Sequence, residues 1–139
     1  MATDAALYTD SSALVKLVVE EPESAGLRAC VSGRELVASE LVLVEVPRAI
    51  QRLAATTRVP RRRLARGLEL VLGAVALLPL EREVLQRAGA FDAPFLRALD
   101  AIHLAAALDV ADVIDSFVSY DERQIEVARV AGLPVLSPA

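Results

Sequence analysis

Residues 5–18 read AALYTDSSALVKLV. The apolar lead Ala5-Ala6-Leu7-Tyr8 reads as an opening strand, and Ser11-Ser12 followed by Ala13-Leu14-Val15-Lys16-Leu17-Val18 reads as the start of a helix. Asp10 therefore stands at a strand-to-helix joint. A carboxylate there has two uses. It can accept hydrogen bonds from the free N–H groups of the helix's first turn, or it can belong to a ligand site outside the carboxyl ends of the strands, where open α/β sheets bind. The joint alone does not choose between them.

The same alternation continues along the chain. EPESAGLRACVSG predicts a second helix from Glu21, with Pro22 in its first turn and Gly33 just beyond its end. Glu35–Ala38 reads as a short strand, and Ser39 is expected to cap a helix through ELVLVEVPRAIQRLAA. Pro47 should bend that helix, because it removes a backbone donor and crowds the preceding turn. The basic segment opens a further helix near Pro60, ending about Leu72-Gly73; AVALLPL follows as a strand and EREVLQRAGAF as a helix. LRALDAIHLAAALDVAD carries apolar residues at helical spacing, and Asp115–Ser119 reads as a buried strand leading into Tyr120-Asp121. A last helix, ERQIEVARVAG, precedes a terminal strand at Leu133–Leu136. Strands alternating with helices predict an α/β domain with a mostly parallel central sheet flanked by helices.

The 139 residues suffice for one domain, expected to span 1–139. With 55% hydrophobic but only 4% aromatic residues, the core must be built from Ala, Leu and Val. The single cysteine, Cys30, rules out an internal disulfide framework and suggests a reducing compartment. No basic region followed by a long apolar run opens the chain, and LVLVEV and VLGAVALLPL are too short or interrupted to span a bilayer. A cytoplasmic protein without membrane contact is expected. The net charge of −4 argues against holding nucleic acid by bulk electrostatics, although it does not exclude an enzyme acting on one. Positive charge is local. Arg58, Arg61, Arg62, Arg63 and Arg66 crowd TTRVPRRRLARG, which makes Arg61, Arg62 and Arg63 candidate RNA contacts or simply a solvated face.

Four acids lie in apolar surroundings: Asp10 after the first strand, Glu45 inside LVLVEV, Asp100 inside ALDAIHL, and Asp121 after VSY. Charges in such settings are costly unless paired or bound to a cation. Asp10 and Asp121 both follow predicted strands and so share one edge of a parallel sheet, while Glu45 and Asp100 lie on helices that pack over it. If the four converge, their oxygen-only ligation suits Mg2+, or Mn2+, and the ion would orient and activate a water for in-line attack on a phosphate. Each acid also has an ordinary explanation. Asp100 can pair with Arg97 or Arg129, Glu45 with Arg48 or Arg52 on nearby turns, and Asp121 can cap a helix. His103, amid Ile102, Leu104 and Ala105, reads as a satisfied, semi-buried structural residue. Ser11, Ser12 and Ser119 are placed to hydrogen-bond a carboxylate or a water.

YTDSSALVKL, SELVLVEVPRAI, LRALDAIHLAAAL and FVSYDERQIEVARVAGLPVLSP together resemble the successive motifs of PIN-domain ribonucleases, in particular VapC-type toxins of bacterial toxin–antitoxin pairs. The likeness spans essentially the whole chain, and its last two blocks are the most specific. It implies a three-layer fold, a Mg2+- or Mn2+-dependent endoribonuclease, a homodimer, and inhibition by an antitoxin through which alone the pair meets DNA. It also implies that the family's four acids fall on Asp10, Glu45, Asp100 and Asp121, with Ser119 as the polar residue before the last and Ser11 as a supporting one. Pro47 departs from many relatives and is expected to shift the Glu45 carboxylate. Two other readings stand beside this one. A haloacid dehalogenase-type phosphatase would want an acid where Ser12 stands; a non-catalytic acidic α/β domain would bind a metal or a partner's basic tail. The apolar residues between Ser12 and Val31 would form a groove for an amphipathic partner segment, or belong to this chain's own core.

Overall fold

The structure is a computed structural model and describes residues 5–139. Among these, five strands run parallel: β1 (Ala6–Thr9), β2 (Leu36–Ser39), β3 (Val75–Leu78), β4 (Ile114–Val118) and β5 (Val135–Leu136). They lie side by side in the order β3-β2-β1-β4-β5. Parallel neighbours need long crossovers. These are supplied by α1 (Ser11–Val18), α2 (Ser24–Val31), α3 (Val42–Ala54), α4 (Arg61–Gly73), α5 (Arg82–Gly89), α6 (Ala98–Asp109) and α7 (Glu122–Val130). The chain moves outward from β1 through β2 to β3, then crosses back to place β4 on the other side of β1. The strand order thus reverses between β1 and β4, and an open α/β sheet leaves a crevice at such a point outside the carboxyl ends of its strands.

Alternation along the central strands sorts side chains into two layers. Leu7 and Val118 face a core shared with Ala13 and Leu14 of α1, Leu27 of α2, Val42, Val46 and Ile50 of α3, and Leu64 of α4. Tyr8 and Phe117 face the opposite core, with Val84 and Ala88 of α5, Ala101 and Leu104–Ala107 of α6, and Val127 and Ala128 of α7. The alanine run of α6 lets this helix approach the sheet and α5 closely. The apolar residues of α1 and α2 are largely spent on this chain's own core, with Leu14 and Leu27 fully buried and each worth about 1.5–3 kcal/mol. Among the described residues no helix is long and apolar enough to cross a membrane.

Most element ends lie within a few residues of the sequence expectation, as with β5, which begins at Val135 rather than Leu133, and two helix starts are displaced for a clear physical reason. The second helix starts at Ser24 rather than Glu21, because Pro22 disfavours helical backbone in the residue before it. Ser24 Oγ donates to Lys16 O (2.7 Å) and accepts from Glu21 N–H (2.9 Å), closing a turn instead. Ser39 ends β2 rather than capping the next helix. Glu40 N–H still bonds Leu78 O across to β3, and the helix begins at Val42, continuing across Pro47 to Ala54.

The C-terminal residues lie against α2 and the end of β4. Tyr120 Oη donates to Pro138 O (2.7 Å) and Ser137 Oγ to Ser119 O (2.6 Å). A Cβ on Gly26 would meet Ala139 O at 2.0 Å, whereas one on Gly67 would make an ordinary contact with Val18 at 3.6 Å. Gly67→Ala is therefore expected to gain up to about 1 kcal/mol from helix propensity. Gly26→Ala should lose that gain and more to displacement of the tail, lowering stability by about 1–3 kcal/mol. Thermal melts of the two variants check the opposite signs.

Candidate active site at the carboxyl edge of the sheet

Asp10 leaves β1 at the reversal point, its N–H bonded to Val118 O of β4 (3.2 Å). Its side chain is almost fully buried, with both oxygens hydrogen-bonded and one acceptor site on Oδ2 still open. Oδ1 accepts from Ala13 N–H (3.0 Å) and Ser12 Oγ (2.6 Å), and Oδ2 accepts from Ser119 Oγ (2.5 Å). Asp10 thus caps α1 while facing the crevice, so the two uses of the joint coexist in one residue. The serines do more than neutralise lone pairs. Ser12 Oγ accepts from Tyr120 N–H (3.0 Å) and Ser119 Oγ accepts from Asp121 N–H (3.1 Å). The β1–α1 and β4–α7 joints are therefore stitched together through one carboxylate.

Asp121 caps α7, accepting from Gln124 N–H (3.1 Å). Asp100 lies in the first turn of α6, and Gln124 Nε2 donates to its backbone O (3.0 Å), fixing the start of α6 against α7. Glu45 lies in the first turn of α3, where Oε1 accepts from His103 Nε2 (2.6 Å). These four carboxylates line one open cleft of about 690 Å3, together with Ser11, Ser12, Lys16, Leu99, Tyr120 and the α3 residues Arg48 and Arg52.

The electrostatics follow from that placement. Burial pushes the Asp10 carboxyl above its ordinary range, opposed by the hydrogen bonds from Ser119 and Ser12. Burial also raises Asp100, reinforced by the negative charges of Asp121 and Asp10. Among the described residues no ion pair reaches Asp10, Asp100 or Asp121. Glu45 alone has a ring nitrogen as partner. The cleft is short of positive charge, and its donors are all oxygen. No three of these side chains close into a ready-made cage among the described residues. That openness fits a hard ion such as Mg2+, which binds through one or two carboxylates and keeps several waters.

The PIN domain profile matches residues 7–130. The chain is also 39% identical over 137 residues to Ribonuclease VapC46 of Mycobacterium tuberculosis (strain ATCC 25618 / H37Rv), a match covering 97% of this chain and 99% of that protein. This chain belongs to the VapC family of PIN domains. The solved VapBC2 from Rickettsia felis, bound to a DNA fragment from their promoter, superposes with a TM-score of 0.68 at 11% identity, covering 96% of this chain and 98% of that one. A toxin–antitoxin complex from Klebsiella pneumoniae gives 0.63 at 18% identity, covering 97% and 98%. At such identities these two likenesses speak for the fold. The family membership sets the dehalogenase-type reading aside.

Within this PIN domain, several side chains play parts that their sequence setting did not disclose. Ser12, not Ser11, bonds Asp10, while Ser11 lines the cleft without a side-chain bond to that carboxylate. Glu45 is held by His103 rather than by Arg48 or Arg52. Those two arginines instead stand on the cleft wall, three and seven residues after Glu45, on the same face of α3. The helical spacing from Glu45 is the signal that could have found them. Arg61, Arg62 and Arg63 lie exposed at the start of α4, outside the cleft lining; Arg61 borders a separate groove with Pro47 and Ile50. Glu45 stays on the cleft wall although α3 runs through Pro47.

Proposed function

We propose that the chain, acting as one PIN domain, is a Mg2+- or Mn2+-dependent endoribonuclease and the toxin of a toxin–antitoxin pair. The observation that carries this reading is one cleft lined by Asp10, Glu45, Asp100 and Asp121 at the strand-order reversal, three of them without a cationic partner. The relative named as a ribonuclease adds its own support.

In this reading one or two of the four carboxylates would hold the cation directly and the others would act through its waters, Asp10 braced by Ser12 and Ser119 and Glu45 by His103. A divalent ion bound there would supply positive charge at the scissile phosphate and lower the pKa of a nearby water. The chain's own residues do the rest. The ionised carboxylates orient the attacking water and accept its proton as its oxygen bonds to phosphorus, and the ester oxygen leaves with the P–O bonding pair and takes a proton from solvent water. Arg48 and Arg52 offer forked donors for flanking phosphates. The test is cleavage of mixed RNA with Mg2+ or Mn2+, stopped by chelation and absent from the Asp100 variant, which excludes a contaminating nuclease. A wild-type protein that never cuts RNA with either ion, free of any partner, would return the chain to a non-catalytic binding role.

The partners follow from the family membership, and the cleft suggests how one of them would inhibit. An antitoxin that inhibits would place an Arg or Lys beside Asp10, Asp100 and Asp121, pairing with the carboxylates and occupying the cation's space. DNA is met only through that antitoxin, the protein works as a homodimer, and it acts in the cytoplasm.

The arginines give a separate expectation. The double variant Arg48→Ala/Arg52→Ala should raise KM about tenfold or more. It should also flatten the log–log dependence of RNA binding on salt by about 1.4, the contribution of two phosphate contacts to a single strand. Replacing Arg61, Arg62 and Arg63 together should change KM less on a short oligonucleotide confined to the cleft. Binding titrations at three or more salt concentrations check both statements.

A further inference from the structure

Tyr8, His103 and Glu45 form a continuous hydrogen-bonded line from the centre of the sheet to the cleft. Tyr8 and His103 are essentially without solvent exposure. Tyr8 Oη accepts from Ser39 N–H (3.1 Å) and lies 2.8 Å from His103 Nδ1, and His103 Nε2 lies 2.6 Å from Glu45 Oε1. The phenol ring is stacked on Phe117 (centroids 5.3 Å apart, planes 9° apart) and meets the imidazole edge-on (5.9 Å, 77°). Four elements, β1, β2, α3 and α6, thus contribute to one line of polar groups in an otherwise apolar layer.

The proton positions on this line are set by counting donors and acceptors. Ser39 N–H can only donate, so it takes one lone pair of Tyr8 Oη. An ionised Glu45 can only accept, so the imidazole proton belongs on Nε2. Nδ1 is then an acceptor, and it receives the Tyr8 hydroxyl hydrogen, which has no other acceptor in that buried space. One arrangement satisfies every group: Ser39 N–H to Tyr8, Tyr8 O–H to Nδ1, Nε2–H to Glu45.

We infer that His103 is a positioning residue, its ring anchored by Tyr8 at Nδ1 and its proton facing Glu45 on Nε2, so that it fixes Glu45 Oε1 and leaves Oε2 to the cleft. This rests on the proposed metal-dependent reading of the cleft and deepens it. A glutamate on the wall of an open cleft needs such an anchor. Without it the flexible Glu side chain has several rotamers, and only some point into the cleft. Groups that orient a metal-holding side chain in this way typically matter by 10- to 100-fold in metal affinity or activity.

The experiment uses the full chain without a tag, in which His103 is the sole histidine, so one 15N spectrum of histidine-labelled protein reports its tautomer unambiguously. Wild type should show the proton on Nε2, and Tyr8→Phe should keep it there while moving the Nδ1 resonance, because Nδ1 loses its donor and Nε2–H still faces Glu45. Calorimetric Mn2+ affinity should fall about 10- to 100-fold in His103→Leu, while His103→Gln, whose amide can donate from the Nε2 position, should stay within about threefold of wild type. On RNA, His103→Leu should lower kcat with little change in KM. The inference is overturned if the wild-type proton sits on Nδ1, if folded His103→Leu binds Mn2+ as wild type does, or if His103→Gln is as impaired as His103→Leu. Should His103→Leu fail to fold, His103→Asn, whose shorter amide does not reach Glu45, decides: wild-type Mn2+ affinity overturns the inference, and a loss of about tenfold or more sustains it. A wild type that binds Mn2+ but cleaves no RNA would remove the ribonuclease reading, while the tautomer and affinity results still judge the role of His103.

Discussion

Asp100→Asn is expected to lower RNA cleavage by roughly 100- to 1000-fold, the range for removing one preorganised charge-stabilising group, and at the same time to raise the melting temperature of the metal-free protein. The two effects have one cause. The Asp100 side chain makes no hydrogen bond with any described residue, and its contact with α7 runs through its backbone O. An amide of the same shape therefore breaks no packing. What it removes is a negative charge that burial, Asp121 and Asp10 already oppose. Asp10→Asn should lose activity similarly but gain less stability, because three donors are arranged around its carboxylate. The amide group would have to donate to Ser119 Oγ, which then turns its own hydrogen toward Gln124 Oε1 at 3.4 Å. Single-turnover cleavage and melting curves on the same samples check the pairing. An Asp100→Asn protein that is both active and no more stable than wild type would remove Asp100 from the cluster.

Melting of the metal-free protein should also depend on pH, falling from mildly acidic buffer to pH 8. Burial raises the carboxyls of Asp10 and Asp100, and in Asp100 the charges of Asp121 and Asp10 add to it. A carboxyl whose folded pKa lies above its unfolded value binds more protons when folded. Its stabilisation is fully present below the unfolded pKa, about 3.9 for Asp, and is lost as pH rises through the folded one. Mg2+ at pH 8 should restore the lost stability by supplying the missing positive charge, with about 4 °C of melting temperature for each kcal/mol in a chain of this size. The difference between wild type and Asp100→Asn isolates the cluster from other titrating groups, such as Glu23, whose carboxyl is lowered by hydrogen bonds from its own backbone and from Lys16. Curves that are flat with pH, insensitive to Mg2+ and identical in the variant would show that the carboxylates do not act on one another.

The parts of this protein that are legible in its sequence are those encoded by near neighbours. The joint at Tyr8–Ser12 and the one at Val118–Glu122 share a grammar of apolar strand, acid and helix start. That grammar by itself places Asp10 and Asp121 at one sheet edge. Helical and strand periodicities similarly locate the elements, with ends shifted by a few residues and helix starts displaced where Pro22 and Ser39 exchange helix for turn and strand. Glu45 and Asp100 were visible as acids in apolar helices, a property of composition around a single position.

What surrounds those acids was decided by tertiary structure. Tyr8 and His103 are 95 residues apart and His103 and Glu45 are 58 apart, so no local pattern joins them. Their contact depends on how α3 and α6 are rotated and set down over the ends of β1 and β2, which is fixed by core packing on both faces of the sheet. The same holds for the arginines. Charge density along the chain singled out Arg61, Arg62 and Arg63, yet Arg48 and Arg52 line the cleft because they share a helical face with Glu45 and that face is turned inward. Sequence by itself determined which residues carry charge and which elements carry them. Only the fold decided which charges meet, because hydrogen bonds and ion pairs act over a few ångströms of space and are indifferent to distance along the chain.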